Sequence, residues 1–357
     1  MKYKNVLITG GAGFIGSNLG ITLKHKYPGL NIVALDNLKR RGSELNLPRL
    51  KENDVRFIHG DIRNPEDLIF DFDVDLMIEC SAEPSVLSGV ANPAYMVNSN
   101  LTGTVNCLEV CRKHKADIVF LSTSRVYPYR AINDIPVIES ETRLQWKPGK
   151  SIPGWSEYGI SEKFTTQGPR TLYGATKLSS ELIIQEYMAQ YGIRGVINRC
   201  GVIAGPWQFG RVDQGVFTLW MLAHYFKRSL YYIGFKGKQV RDILHVSDLC
   251  RLIDMEISDI GKVDGKTFNI GGGCASNLSL LEATELCQKI TGNKITIKKQ
   301  SKARQGDVGI YISDTRIVQR DTGWRPKESA KDIMDGIYQW ISANESSIKK
   351  TLLGKGL

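Results

Sequence analysis

A tyrosine and a lysine stand four residues apart in YGATK, as Tyr173 and Lys177, far downstream of a glycine-rich TGGAGFIG stretch near the N-terminus. A phenol beside an ammonium has its pKa lowered, because the positive neighbour favours the phenolate, and tyrosine then serves as a general base near neutral pH. The glycine stretch is the kind that cradles a dinucleotide, which would accept the hydride. Neither half suffices alone. Gly-x-x-Gly-x-x-Gly arises by accident in roughly a third of chains of this length and glycine content, and about one Tyr-x-x-x-Lys match is expected by chance. A second such match does occur, at Tyr232 and Lys236.

The surrounding elements decide between them. Val6, Leu7 and Ile8 form an apolar run that reads as a buried parallel strand feeding directly into Gly10, Gly13 and Gly16. There a helix begins, and its free N-terminal amides suit a pyrophosphate. A second strand, Ile32 to Leu35, ends in Asp36, a carboxylate positioned for an adenosine ribose 2′-hydroxyl and therefore for NAD over NADP. Arg40 and Arg41 follow, a residue type that also holds a 2′-phosphate.

Tyr173 and Lys177 open a segment in which Leu178, Leu182, Ile183 and Met188 recur at helical spacing until Gly192. The pair thus lies one turn apart on one helix face. Tyr232 and Lys236 instead straddle Gly234 in a strand-and-turn segment and read as accidental. A third hydroxyl comes from LSTSRVY, where the apolar run Ile118 to Leu121 ends at Ser122, Thr123 and Ser124. Such a strand end faces the edge where doubly wound sheets bind ligands, and Thr123 is the expected partner of a substrate alcohol.

At 357 residues and 42% apolar, the chain is long enough for two domains. Candidate strands at Val55 to Ile58, Leu76 to Glu79, Ile118 to Leu121 and Gly195 to Arg199 alternate with helical stretches. This predicts an α/β fold, a Rossmann doubly wound parallel sheet with a smaller mixed α/β C-terminal domain. The expected division is 1–197 for the NAD-binding domain, with a return segment near 239–270, and 198–238 plus 271–357 for the substrate domain. Between Tyr127 and Tyr173 a long interruption rich in Pro, Gly and Trp reads as functional or mobile.

No uninterrupted apolar run reaches membrane-spanning length and no signal-peptide pattern appears, so a soluble cytoplasmic protein is expected. Seven scattered cysteines without Cys-x-x-Cys indicate neither a disulfide framework nor a zinc site, and no metal is expected. Cys107 and Cys111 read as packing residues. The net charge of +10 is dispersed and lacks nucleic-acid reading motifs. It would help gather a substrate carrying two phosphates.

Together TGGAGFIG, the DIR of Asp61 to Arg63, NSNLTGTVN, LSTSRVY, YGATK, KQVRDILHVSD and TGWRPK resemble an extended short-chain dehydrogenase/reductase acting on nucleotide sugars, over nearly the whole chain. DNLKRRGSELNLPRL, the long insert and QFGRVDQG are similar to the CDP-tyvelose (CDP-paratose) 2-epimerases within it. The resemblance implies that Gly10, Gly13, Phe14, Ile15 and Gly16 hold the pyrophosphate of NAD. It assigns Asp36 and Asn37 to the adenosine ribose, Asp61 and Ile62 to the adenine, and Ser81, Ala82 and Asn100 to the cofactor's surroundings. Thr123, Tyr173 and Lys177 would be the catalytic trio, Lys177 also bonding the nicotinamide ribose. Arg241 and Arg304 would meet the phosphates of a nucleotide-diphosphate sugar, and Glu83, Gln208 and Gln214 its hexose.

The implied reaction is epimerisation through a transient ketosugar, at C2 of a CDP-hexose, in a homodimer built on helices near 100–114 and 175–191. Two departures matter. Sugar 4,6-dehydratases follow the threonine with Asp-Glu, where this chain has Ser124 and Arg125, and 4-epimerases carry Asn where it has Val202. A UDP-hexose 4-epimerase, a sugar nucleotide reductase and a non-catalytic NAD sensor are the alternatives.

Overall fold

The computed structural model describes residues 2–211 and 214–353. Val212 and Asp213 of the QFGRVDQG segment lie outside the described residues.

Seven parallel strands form the central sheet: β1 (Asn5–Thr9), β2 (Asn31–Asp36), β3 (Arg56–His59), β4 (Leu76–Glu79), β5 (Asp117–Thr123), β6 (Gly195–Cys200) and β7 (Lys266–Ile270). Their order is β3-β2-β1-β4-β5-β6-β7. The chain winds outward from β1 in one direction and then from β4 in the other, so a crevice opens between the carboxyl ends of β1 and β4. Alternation along β1 explains the two cores. Val6 and Ile8 pack on one face with Leu19 and Leu23 of helix α1 (Phe14–Lys26). Leu7 packs on the other, with Cys107, Leu108 and Cys111 of α2 (Gly103–His114).

Helix α3 (Leu172–Tyr191) starts on a Thr171 cap, whose hydroxyl accepts from the Gly174 amide, and stops at Gly192, which takes a φ of 66°. Its inner face differs from the one expected. Lys177, Ser180, Glu181 and Ile184 are buried, while Leu182 is 58% exposed. The reason is a polar seam. Ser180 Oγ donates to the Asn100 carbonyl at 2.9 Å, and Arg199 of β6 forks Glu181, with Nη2 to Oε2 at 2.7 Å.

A second lobe is built on Val202–Ala204, Val240–His245, Asn277–Ser279 and Ile310–Tyr311. Against this sheet pack α4 (Val216–Tyr225), α6 (Leu280–Thr291) and α7 (Ala330–Ala343), around Phe217, Trp220, Ala283, Ile333 and Ile337. The expected return segment is therefore split. Val240–His245 belongs to the second sheet, whereas α5 (Val246–Ser258) packs on α1 and β7 completes the first.

The 128–172 interruption is ordered. Two short antiparallel ladders, Val137–Glu139 with Leu144–Trp146 and Trp155–Ser156 with Gly159–Ile160, sit over a core of Ile132, Ile160, Phe164, Val308 and Tyr311. Backbone bonds tie it to the second lobe, Leu144 N to Lys238 O at 2.8 Å and Ile160 N to Ile312 O at 2.8 Å. Among the described residues no helix is long and apolar enough to cross a membrane.

Candidate active site

The glycine turn lies at the carboxyl end of β1. Gly10 adopts a φ of +64°, and a Cβ there would stand 2.9 Å from the Cys80 and Ser81 backbone, so β1 and β4 close up only around glycine. A Cβ on Gly16 would overlap the Gly10 carbonyl. No side chain caps α1 at Gly13, and Gly13, Phe14, Ile15 and Gly16 line a cleft of about 650 Å³. An uncapped helix start facing a cleft is suited to a pyrophosphate.

Asp36 ends β2 with its carboxylate accepting from Leu38 N at 2.8 Å and Ala12 N at 3.2 Å. Burial raises its pKa, and those amides oppose the rise. Asp61 is half-buried, yet the Arg63 fork and the Asn37 amide, 2.9 Å away, hold it at about 2. Asp36, Asn37, Asp61, Ile62, Ser81 and Ala82 all face the cleft. Arg40 Nη2 donates to the Phe209 carbonyl and Arg41 Nε to that of Thr351, so each has a protein partner. The glycine cradle, the uncapped helix and the carboxylate at β2 fit NAD.

Asn100 does not face the cleft. It is fully buried and braces the Glu83 loop, Oδ1 accepting from Glu83 N at 2.7 Å and Nδ2 donating to Glu83 O at 3.1 Å.

β5 delivers Thr123, and α3, packed against β5, delivers Tyr173 to the lining of the same cleft. Gly174 makes this approach possible, since a Cβ there would overlap the Arg125 carbonyl. The phenol departs from expectation. Burial pushes its pKa up to about 12, opposed by the neighbouring Thr123 hydroxyl and the Arg125 charge. Lys177 is only 1% exposed, behind the cleft wall, with Nζ 3.8 Å from the Phe120 ring centroid. Burial lowers its own pKa, while Glu79 and Glu181 oppose the shift. The lysine is thus held by the core rather than against the phenol.

Glu83, Gln208, Gln214 and Arg241 also line the cleft. Gln208 is held at both ends of its amide, accepting from Thr218 Oγ1 at 2.6 Å and donating to Ile203 O at 2.9 Å. Arg241 donates to Val308 O at 2.7 Å, and burial lowers its pKa to about 10. Arg304 stands outside the lining, although Gly306 and Val308 just beyond it face the cleft. Sequence reading passed over Arg125, Arg170, Tyr129 and Tyr311, which also line it. Only Arg125 carried a signal, as the residue replacing a dehydratase carboxylate. Tyr232 lies elsewhere, its hydroxyl 2.7 Å from Thr284 Oγ1 inside the second lobe.

With this geometry, a profile described as "NAD dependent epimerase/dehydratase family" matches residues 6–271. The chain belongs to this family. Among epimerase/dehydratase relatives, the CDP-paratose 2-epimerase of Salmonella typhi is 31% identical over 95% of this chain and 99% of its own. The UDP-glucuronic acid 4-epimerase of Bacillus cereus, solved with UDP-glucuronic acid and NAD, superposes with a TM-score of 0.79 at 25% identity, over 95% of this chain and 99% of that one. DesIV, a dTDP-glucose 4,6-dehydratase of Streptomyces venezuelae solved with NAD, gives 0.76 at 27%, covering 96% and 98%. The fold is that of the family, and NAD is its cofactor.

Proposed function

We propose that this protein epimerises a nucleotide-diphosphate hexose without net redox change, at C2 of a CDP-sugar of the paratose type. The observation that carries the proposal is that Thr123 and Tyr173 line the same cleft as the glycine turn. Tyr173, in its phenolate form, takes the proton from a sugar hydroxyl, and Thr123 hydrogen-bonds the developing oxyanion. NAD, when bound, accepts the carbon-bound hydrogen as hydride and returns it. Once the ketosugar has presented its other face, Tyr173 gives its proton back, and one centre is inverted. Lys177, one helical turn from Tyr173 and buried behind the cleft wall, contributes a background positive potential to the site.

Ser124 and Arg125 leave the site without the carboxyl pair that water loss requires, which separates it from the dehydratases. The choice of C2 and of cytidine rests on the full-length similarity to the Salmonella enzyme. A polysaccharide-building role, a cytoplasmic location and a homodimer through the outer face of α3, where Leu182 and Tyr191 are exposed, belong to the same reading. Absorbance of reduced nicotinamide during turnover tests it. The epimerase converts substrate without accumulating NADH, whereas stoichiometric consumption of nicotinamide would identify a reductase.

A further inference from the structure

The cleft holds a cation that the mechanism above does not use. Arg125 lines the same wall as Tyr173, its backbone pressed against Gly174 and its amide donating to Thr123 Oγ1 at 3.2 Å. The side chain is only 31% exposed. One edge is fixed, with Nη1 donating to the Gly306 carbonyl at 2.6 Å. Among the described residues the only carboxylate paired with it is Asp307, at 4.0 Å, beyond hydrogen-bond reach.

Two residues further along, the Val308 carbonyl fixes Arg241 in the same way. Two guanidinium groups are thereby anchored on one short stretch of chain, and the Arg125 charge adds to burial in lowering the pKa of Arg241. A wall with this excess of positive charge is complementary to a dianion.

We propose that Arg125, with Arg241, holds the β-phosphate of the sugar nucleotide on the Tyr173 side of the cleft. This rests on the sugar-nucleotide reading and adds a reason for C2. C2 is bonded directly to the phosphorylated carbon, whereas C4 lies across the ring. A β-phosphate held beside Tyr173 therefore brings C2 to the phenol and leaves C4 pointing away. Replacing the dehydratase carboxylate by arginine both removes the elimination chemistry and moves the anchor.

Calorimetric titration of CDP against CMP, and of UDP against UMP, tests the assignment in wild type, Arg125→Gln and Arg125→Lys, with NAD affinity as the check on folding. Wild type should bind the diphosphate at least tenfold more tightly than the monophosphate. Arg125→Gln should cut that ratio about tenfold while leaving the monophosphate Kd unchanged. Arg125→Lys, which keeps the charge but loses the fork, should lower it by a smaller factor and carries the test if the glutamine variant does not fold. An unchanged ratio in either variant, or equal losses for mono- and diphosphate, would overturn the proposal. Failure of the cytidine reading shows up separately, as uridine nucleotides binding more tightly with a ratio that still depends on Arg125.

Discussion

In the cleft Tyr173 holds its proton up to about 12, because burial outweighs the opposing Thr123 hydroxyl and Arg125 charge. A difference titration of wild type minus Tyr173→Phe, followed by phenolate absorbance, should show this group ionising only at the alkaline end. An ionisation near neutrality would mean that Lys177 acts on the phenol directly. Tyr173→Phe should abolish turnover with NAD affinity intact. Thr123→Val removes one hydrogen bond to the oxyanion and should lower kcat about 100-fold with little change in KM. Sequence reading found both residues because their chemistry requires their types. It missed the direction of the pKa shift, since no spacing rule tells how deeply a helix start is buried.

At the scale of elements, α3 is fixed to β5 and β6 by close approach and by charge. Gly174→Ala would drive a methyl group into the Arg125 carbonyl, separating Tyr173 from Thr123; a more than 100-fold loss of kcat with a retained far-UV spectrum is expected. The Arg199–Glu181 pair is nearly buried, and Ser122 Oγ donates to Glu181 at 2.5 Å. Removing one partner, as in Glu181→Gln, should cost about 3–5 kcal/mol in denaturant unfolding.

Glu256 of α5 offers a pH test. It is fully buried and accepts from Asn198 Nδ2 at 2.8 Å, and burial raises its pKa to about 8. The folded chain keeps this proton at pH values where the unfolded chain has lost it. The group's contribution is therefore complete below the ordinary glutamate pKa and is lost as pH rises through about 8. Glu256→Gln should flatten that decline, seen as a denaturant midpoint advantage over wild type that grows from acid to alkaline pH.

At the scale of the whole molecule, the insert joins the lobes. Arg143 Nη2 reaches Glu282 of α6 at 3.0 Å and Asn133 Nδ2 reaches the Asp307 carbonyl at 3.0 Å, so the cleft is braced across both lobes. The outer face of α3 is where a second copy would pack. Leu182→Glu should halve the particle mass measured by light scattering if the homodimer forms there.

The parallel sheet was legible because Val6 to Ile8, Leu76 to Ile78 and Ile118 to Leu121 are apolar on both faces and punctuated by turns. The insert was not, because its short ladders are held by partners in the second lobe far along the chain. The inward face of α3 was misread for a related reason: Ser180 and Glu181 find their partners in Asn100 and Arg199, contacts that periodicity does not reveal.

The central claim is inversion by hydride removal and return at one carbon, with Tyr173 moving the proton. Proton NMR of the protein with CDP-paratose in deuterated buffer, with UDP-glucose in parallel, tests it most directly. The account predicts a CDP-sugar inverted at C2 with no deuterium at that carbon. Deuterium at the inverted carbon, or galactose formed from UDP-glucose while CDP-paratose stays unchanged, would contradict it.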